Sequence, residues 1–302
     1  PWGVESIWTA GIGIDSFALS DDAAFDNDAT RVTPKAALTL RRPMTRQTAS
    51  GAVQVLEPIV QFGWTNVNGD DTPNEASNIS EYDQGNLLAL SRFPETDVRE
   101  DGDTLIYGVN FAHFDTTGWF ATGTIAQIHR DQAQSGFTSS SGLDGRNSNV
   151  LVAGQLGLRN DLTLTARTLF DEEWSVTKAE FRGDLERDRV SLAGSYLWLQ
   201  ADPAENRVQE TSELWFDGAY DLNQIWRASA NMRYDITDGR ATRAGLGLTY
   251  RNECVTLDLS LSRRYTSTTS VEPSTDFGFT LSLNGFSVKS GNTTSRRSCS
   301  NT

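Results

Sequence analysis

Residue types that commonly carry out catalysis or hold metals are scarce in this 302-residue chain. Its two histidines, His113 and His129, lie 16 residues apart, with no H-x-x-x-H spacing and no neighbouring cysteine. A zinc site built on histidine and cysteine is therefore disfavoured. No serine or aspartate can be nominated as the partner of a hydrolytic histidine. These observations predict a protein that is not an enzyme and that has no cofactor or metal.

The balance of charge excludes a second class of function. Lys and Arg total 26 against 40 Asp and Glu, which gives a formal net charge of −14. A surface that neutralises phosphates along a nucleic acid is not expected on such a chain. Acidic pairs at Asp70 and Asp71 and at Asp101 and Asp103 lack the spacing of a calcium-binding EF-hand. They are interpreted as solvated loop, with weak binding of a divalent cation as the alternative.

Alternation of apolar and polar residues is the strongest pattern along the chain, and it is clearest from Gln224 to Asp235. Because successive side chains of a strand point to opposite faces, this segment has one apolar and one charged face. The same pattern recurs in residues 243–251, 254–262 and 276–284. The polar face is predicted to line an aqueous interior, and its candidate residues are Arg227, Asn231, Arg233, Asp235, Asp258 and Ser260.

About fourteen such segments are predicted as strands, each of roughly ten or more residues. Strands of soluble proteins average about 5–6 residues, whereas strands that cross a membrane as a barrel need about 9–11. Uninterrupted apolar runs reach only four residues, so no transmembrane helix is expected. We therefore predict an all-β, transmembrane antiparallel β-barrel, with a soluble β-sandwich or solenoid as the alternative. The predicted strands are residues 5–19, 31–42, 52–64, 104–114, 118–130, 148–158, 161–171, 174–184, 188–200, 208–220, 224–236, 242–252, 254–265 and 274–284.

Connections between these strands alternate in length, with 172–173 as the one connection that is short on the long-loop side. Long stretches such as 65–103 and 131–147 follow odd-numbered predicted strands, and short turns such as 115–117 and 159–160 follow even-numbered ones. Membrane barrels place long loops outside the cell and short turns in the periplasm. Because the last predicted strand is the fourteenth, an even-numbered one, it ends on the short-turn side. The chain is therefore predicted to have a periplasmic C-terminus.

Three segments resemble the barrel domain of the LptD family of outer-membrane lipopolysaccharide-assembly proteins. They are VTPKAALTLRRPM with VLEPIVQFGW, then SEYDQGNLLALSRFPETDVREDGDTLIYGVNF, and finally YRNECVTLDLSLSRRY with DFGFTLSLNGF. The second segment is the most specific, and its matching residues are Ser91, Arg92, Phe93, Asp97, Glu100, Asp101, Gly102, Leu105, Tyr107 and Gly108. The resemblance implies the C-terminal half of a larger barrel, with strands and long extracellular loops in residues 1–286 and a periplasmic tail in residues 287–302.

The same resemblance implies a function and a set of partners. The protein would insert lipopolysaccharide into the outer leaflet of the bacterial outer membrane, among its lipids. A plug lipoprotein, LptE, would sit inside the barrel, and a periplasmic bridge protein, LptA, would deliver the glycolipid. The last strand would form one side of a gate, with Phe277, Phe279, Thr280, Leu281, Ser282 and Leu283 as its residues. Two alternatives stay open: a general porin or solute transporter, and a barrel hydrolase.

The two cysteines of the chain are too few for a disulfide scaffold, but one bond is expected. Strand parity places Cys254 at the periplasmic rim and Cys299 in the tail on the same side. Because the periplasm is oxidising, the two thiols are predicted to pair. The family offers an alternative, since its late-barrel cysteines bond to an N-terminal periplasmic domain. Its frequent pair of adjacent cysteines is replaced here by Glu253 and Cys254.

Overall fold

The computed structural model describes residues 3–20, 24–25, 28–75, 79–159, 161–266 and 272–283. Within these residues the chain forms sixteen β-strands, two three-residue 3-10 helices at Ser139–Ser141 and Pro203–Glu205, and no α-helix. The strands are β1 Glu5–Ala18, β2 Asp28–Arg41, β3 Met44–Gln47, β4 Val53–Thr65, β5 Asn68–Gly69, β6 Gly102–Phe114, β7 Phe120–Arg130, β8 Val150–Leu158, β9 Leu162–Phe170, β10 Val176–Arg187, β11 Val190–Leu199, β12 Thr211–Asp221, β13 Trp226–Asp235, β14 Arg240–Arg251, β15 Val255–Arg264 and β16 Ser274–Leu283.

These strands confirm the predicted all-β, antiparallel fold class. Each of the fourteen predicted segments contains a strand, and most strand ends lie within a few residues of the predicted ones. The two additional strands, β3 and β5, are short. β3 pairs with β4 inside a predicted turn, and β5 pairs with β2 inside a predicted loop. The predicted tail, residues 287–302, lies outside the described residues, so its separate status stays a prediction.

Contacts divide the chain into two compact units. The first contains Pro1–Phe181 and Leu197–Thr211, and the second contains Arg182–Tyr196 and Ser212–Thr302. In the first unit, long neighbouring strands pair antiparallel in the order β1, β2, β4, β6, β7, β8 and β9. In the second unit, β12 to β16 pair in chain order in the same way.

The register of the second unit separates the two faces that the alternation predicts. Arg227 lies opposite Thr249, Thr249 opposite Asp258, and Asp258 opposite Thr280, so one row of polar residues crosses four strands. On the other face Phe279 lies opposite Leu259 and is 68% exposed. Large apolar side chains left in contact with solvent on one face are expected where that face meets lipid.

The buried core lies in the first unit, on the opposite face of its sheet from the exposed apolar residues. On β6, for example, Ile106 is fully buried, whereas Tyr107 and Val109 are about 40% exposed. Ile106 lies opposite Ile128 of β7, and Leu151 of β8 lies opposite Leu169 of β9. Side chains from the connecting loops complete the cluster: Tyr82, Leu87, Phe93, Phe137 and Leu143. Side chains from the strands and from the loops therefore form one buried cluster.

Candidate functional site

Residues 79–101, from the connection between β4 and β6, fold onto the inner face of the first unit, the face that carries the buried cluster. Leu87 and Phe93 from this segment pack with Ile106 of β6 and Ile128 of β7. We call residues 79–101 the inner loop. The sequence suggested a solvated extracellular loop at this point, and the structure shows that much of the inner loop is buried instead.

A buried ion network fixes the inner loop to β7. The Glu100 carboxylate accepts two hydrogen bonds from the Arg92 guanidinium, at 2.8 and 3.0 Å, and one from the Arg92 backbone N–H at 2.8 Å. It also accepts a hydrogen bond from Nε of Arg130 at 2.9 Å. The exposed fraction of all three side chains is 2% or less. Two guanidinium groups thus share one carboxylate in a water-poor site.

Burial shifts the pKa of two side chains of the inner loop, Arg92 and Tyr82. Burial lowers the pKa of Arg92, while the neighbouring Glu100 carboxylate opposes that shift. Burial also raises the pKa of Tyr82 to about 12, so its phenol stays protonated at physiological pH. Arg92 donates a further hydrogen bond to the Leu87 carbonyl at 2.9 Å. The inner loop is therefore fixed to itself as well as to β7.

The first strands provide another set of attachments. Arg99 forms a bidentate ion pair with Asp15 of β1, at 2.9 and 3.0 Å. Arg31 of β2 donates hydrogen bonds to the carbonyl oxygens of Thr96 and Asp97. Paired, bidentate guanidinium contacts are among the stronger polar interactions in proteins. They keep the inner loop close to β1 and β2.

Ion pairs on the far side connect the inner loop to β9 and β10. Asp83 pairs with Arg167 of β9 at 3.1 Å, and Glu81 pairs with Lys178 of β10 at 3.7 Å. Glu180 pairs with both of those cations, at 2.9 and 3.0 Å. The inner loop is thus held from β1 across to β10 within the first unit.

The connection between β7 and β8, residues 131–149, packs against the inner loop. Phe137 stacks on Phe93 with ring centroids 4.2 Å apart, and Arg130 lies over the Phe137 ring at 5.2 Å. Its 3-10 turn is tied to the connection between β11 and β12, because Asp202 in that connection accepts hydrogen bonds from the Ser140 N–H at 2.8 Å and the Ser139 hydroxyl at 3.1 Å. Burial alone raises the pKa of Asp202, but hydrogen bonds, those from Ser140 foremost, outweigh it and hold the pKa below its ordinary value.

Two glycines of the family-like segment, Gly102 and Gly108, stand where a side chain would not fit. Gly102 has φ +99°, a conformation that residues with a side chain rarely adopt, and Asp131 lies against the position that a Cβ would take. At Gly108, an added Cβ would lie 2.7 Å from both Ala126 Cβ and the Ile125 carbonyl oxygen. The first glycine lets the loop turn into β6, and the second lets β6 approach β7 closely.

A cavity of about 350 Å³ lies between the inner loop and β4, β6 and β7. Its polar wall is a hydrogen-bonded chain in which Arg41 and Asn110 donate to Glu57, and Thr124 donates to Asn110. Leu87, Leu88, Ile59 and other apolar side chains line the rest. Such a cavity has separate places for a charged group and an apolar group of one ligand.

The polar residues predicted from the second unit lie together on one face and are more fully paired than the sequence suggests. Arg227 pairs with Asp221 at 3.2 Å. Arg233 pairs with Glu213 at 2.6 Å and lies over the Trp215 ring at 4.5 Å. The register places Asn231 and Asp235 on the same face of β13, and Asp258 and Ser260 on that face of β15. Asp258 accepts a hydrogen bond from Thr249 at 2.7 Å. That this face lines an aqueous interior stays a prediction.

The predicted gate residues lie on β16, which pairs with β15 along its length. Phe277, Phe279, Leu281 and Leu283 are all at least half exposed and alternate with Thr280 and Ser282. Cys254 lies in the short turn between β14 and β15, whereas Cys299 lies outside the described residues. The gate and the disulfide both stay predictions.

Neither histidine is part of a catalytic arrangement in the described residues. Nδ1 of His113 lies 3.0 Å from the Gln54 amide nitrogen, and its ring stacks on Trp119 at 4.4 Å. Nδ1 of His129 lies 2.6 Å from the Asn147 side-chain oxygen. In the same described ranges, no three His, Cys, Asp or Glu side chains are placed to hold a metal ion. Also within them, no helix is long and apolar enough to cross a membrane.

Neither the covering of the inner face by loops nor the residues that fix it, Arg130 and Asp202 among them, were predicted from the sequence. One sequence feature points to it. The inner face of β6 to β9 carries the large apolar residues Ile106, Ile128, Leu151 and Leu169 near the long-loop ends of the strands, where the polar face of β13 carries Asn231 and Arg233. A face that is to be covered by other residues of the chain needs such side chains, whereas a wetted face does not.

The inner loop that carries the ion network is also the segment with the most specific family-like sequence. Comparison with protein-family sequence patterns gives a match to LptD, described as LPS transport system D, over residues 1–226. The chain belongs to the LptD family. The LptD match includes the inner loop, residues 131–149 that pack against it, and the strands that hold it, β1, β2, β7, β9 and β10. The function associated with this family is lipopolysaccharide transport.

Two further comparisons add no function to that of the LptD family. No curated protein sequence matches the chain. Among solved structures, a double mutant of the Rh. blastica porin has a TM-score of 0.36 and 11% identity, covering 93% of this chain and 90% of that one. A triple mutant of the Rhodopseudomonas blastica porin has a TM-score of 0.37 and 10% identity, with the same coverage.

Proposed function

We propose that this LptD-family chain is a part of the translocon that assembles lipopolysaccharide into the outer leaflet of the bacterial outer membrane. The match to LptD over residues 1–226 is the observation that carries this proposal. In this account the chain is an integral outer-membrane β-barrel with a periplasmic C-terminus. It is a conduit and not an enzyme.

The inner face of the first unit supports this role. A general diffusion pore needs a wetted interior, whereas here the inner loop covers the face and is held by the buried ion network of Arg92, Glu100 and Arg130. The cavity beneath it combines charged Arg41 and Glu57 with Leu87 and Leu88. Lipopolysaccharide has phosphates, sugars and acyl chains, so an amphipathic passage suits it better than a uniformly polar one.

The partners of this proposal are a plug lipoprotein, LptE, within the barrel and a periplasmic bridge protein, LptA, that delivers the glycolipid. The last strand, β16, forms one side of a seam that opens towards the lipids of the outer membrane. Its exposed Phe277, Phe279, Leu281 and Leu283 face lipid, and Thr280 and Ser282 face the passage. One side of the strand thus meets acyl chains and the other meets sugars.

The experiment uses the full-length protein with a photo-crosslinking amino acid at Asn231, on the polar face of β13, or at Met232, on the apolar face. The proposal predicts that illumination of living cells links lipopolysaccharide to position 231 more than to position 232. Mild detergent extraction is expected to recover the plug lipoprotein with the same protein. Equal crosslinking at both positions and no lipoprotein would contradict the proposal and favour a porin or solute transporter.

A further inference from the structure

Three arginines lie side by side on the polar face of the second unit. The register places Arg233 of β13 opposite Arg243 of β14, and Arg243 opposite Arg264 of β15. Neighbouring strands are about 4.8 Å apart, so the three side chains start within roughly 10 Å of one another. This arginine row lies at the end of the sheet where residues 236–239 and 265–273 connect the strands.

The charges of the arginine row are not balanced. Arg233 is neutralised, because it binds Glu213 at 2.6 Å. Arg264 donates to the Ser274 hydroxyl at 3.4 Å, and that hydroxyl donates to Asp276 at 3.2 Å. Within the described parts of the chain, the other two arginines of the row form no ion pair with a carboxylate. Like charges directly opposite each other destabilise a sheet, and an anion bound between the arginines would remove that repulsion.

Uncharged polar groups lie beside the arginine row on the same face. Asn231 is exposed, as are Ser229 and Ser260. Two glycines of β14 leave room for these side chains: a Cβ added at Gly245 would lie 2.9 Å from the Asn231 amide, and one added at Gly247 would collide with the Ser229 hydroxyl. The surface next to the row is therefore flat and presents amide and hydroxyl groups.

This combination of groups fits a phosphorylated sugar. Guanidinium groups bind phosphate oxygens through paired hydrogen bonds. Amide and hydroxyl side chains both donate and accept hydrogen bonds, as the hydroxyls of a sugar do. An acidic peptide would pair with the arginines but would leave the flat polar surface beside them unused. A phosphorylated sugar uses both.

We propose that the arginine row and the adjoining polar surface bind a phosphorylated sugar, with Arg243 and Arg264 holding its phosphoryl groups. The inference rests on the proposed function for the source of the sugar, which is the saccharide part of lipopolysaccharide. The site itself follows from the register of the strands. Arg264 lies opposite Ser274, the first residue of β16, so the bound saccharide lies beside the strand of the proposed seam.

The test measures binding to the full-length protein in detergent by titration calorimetry. The probes are the oligosaccharide left after deacylation of lipopolysaccharide, the same oligosaccharide without its phosphates, inorganic diphosphate and an oligoglutamate peptide. We expect the phosphorylated oligosaccharide to bind at least about tenfold more tightly than the dephosphorylated one. R243Q should weaken its binding by about tenfold, the usual value of one charged hydrogen-bonding contact, and R243Q/R264Q should abolish the preference.

The matched control is R263Q. Arg263 is exposed, precedes Arg264 on β15 and lies opposite Ala244 on the apolar face, so R263Q removes the same charge from the other side of the sheet. It should bind like the native protein, and heat-modifiable gel mobility should show that the variants are folded. The comparison of probes on the native protein needs no variant, so it stands even if one fails to fold.

Four results would overturn the proposal. Equal binding of the two oligosaccharides by the native protein, or equal losses in R243Q and R263Q, would overturn the site. Binding of diphosphate that R243Q weakens, without binding of either oligosaccharide, would overturn the sugar. Tighter binding of the oligoglutamate peptide than of the phosphorylated oligosaccharide would replace the sugar with an acidic protein partner.

Failure of the site and failure of the proposed function give different results. If depletion of the protein in cells stops delivery of lipopolysaccharide but the two oligosaccharides bind equally, the function stands and the site is overturned. If delivery continues in depleted cells while R243Q, and not R263Q, weakens binding of the phosphorylated oligosaccharide, the site stands and the function fails.

Discussion

Replacement of Glu100 by glutamine tests whether the buried ion network holds the inner loop in place. Glutamine keeps the shape of the side chain but removes its charge and replaces one acceptor oxygen with a donor NH₂. In the native protein the carboxylate accepts four hydrogen bonds, three from Arg92 and one from Arg130. The variant leaves two buried guanidinium groups without a counter-charge.

The expected magnitude follows from the burial of the three side chains, none of which is more than 2% exposed. Removal of one partner from a buried ion pair costs about 3–5 kcal/mol. By contrast, the pair of Arg240 and Asp238 is exposed, at 56% and 36%. Loss of an exposed pair costs about 0–1 kcal/mol, so D238N is the matched control for removal of one carboxylate charge.

Limited proteolysis of the full-length protein in detergent is the direct assay. We expect E100Q to be cleaved within residues 79–101 at least about a hundredfold faster than the native protein, because 3 kcal/mol corresponds to roughly that change in an opening equilibrium. The strands should persist, and heat-modifiable mobility measures them separately. R130M should show a smaller effect, because Glu100 keeps both hydrogen bonds from Nη1 of Arg92.

An assembled E100Q protein whose inner loop is as resistant to protease as that of D238N would show that the buried ion network does not hold the loop. Should E100Q fail to assemble, R130M supplies the same comparison with a milder change. Resistance of the R130M loop equal to that of the native protein would then count against the network.

Three other predictions test separate parts of the account. Phe279→Arg, on the exposed apolar face, should lower assembled protein with a cost of about 2–4 kcal/mol, whereas Thr280→Arg should be much milder; equal losses in assembly, measured by heat-modifiable gel mobility, would contradict the assignment of faces. The pKa of Asp202 is below its ordinary value of 3.8 in the folded state, so its carboxylate stabilises that state at pH values above 3.8, and this stabilisation is lost as the pH falls through the native pKa. Residues 131–149, which Asp202 binds through Ser139 and Ser140, should therefore open to protease in acid, and Asp202→Asn should remove that part of the pH dependence. Non-reduced peptide mapping of the full-length protein should find a cross-link between Cys254 and Cys299, and a peptide joining Cys254 to another region of the protein would show a different pairing.

Strand positions were predictable because alternation is a local property of the sequence. In β13, for instance, Arg227 to Asp235 alternate between polar and apolar residues without exception, and the observed strand follows that alternation. The short strands β3 and β5 were missed because a pairing of two to four residues depends on its neighbour and leaves no period of its own.

The inner loop could not be placed from the sequence because its contacts join residues far apart in the chain. Glu100 and Arg130 are 30 residues apart, and Asp15 and Arg99 are 84 apart. Loop segments rich in charge and glycine are ordinarily solvated, so nothing local distinguishes Arg92 from a surface arginine. The family resemblance singled out Arg92 and Glu100, but only the structure shows that they bind each other.

Surface lipopolysaccharide, measured after depletion of the full-length protein in living cells, tests the central claim most directly. If the chain is part of the lipopolysaccharide translocon, newly made lipopolysaccharide should stop reaching the outer leaflet and accumulate on the periplasmic side, before any loss of solute uptake. Continued delivery of lipopolysaccharide to the cell surface in depleted cells, accompanied by reduced uptake of small solutes, would contradict the account and identify the chain as a pore.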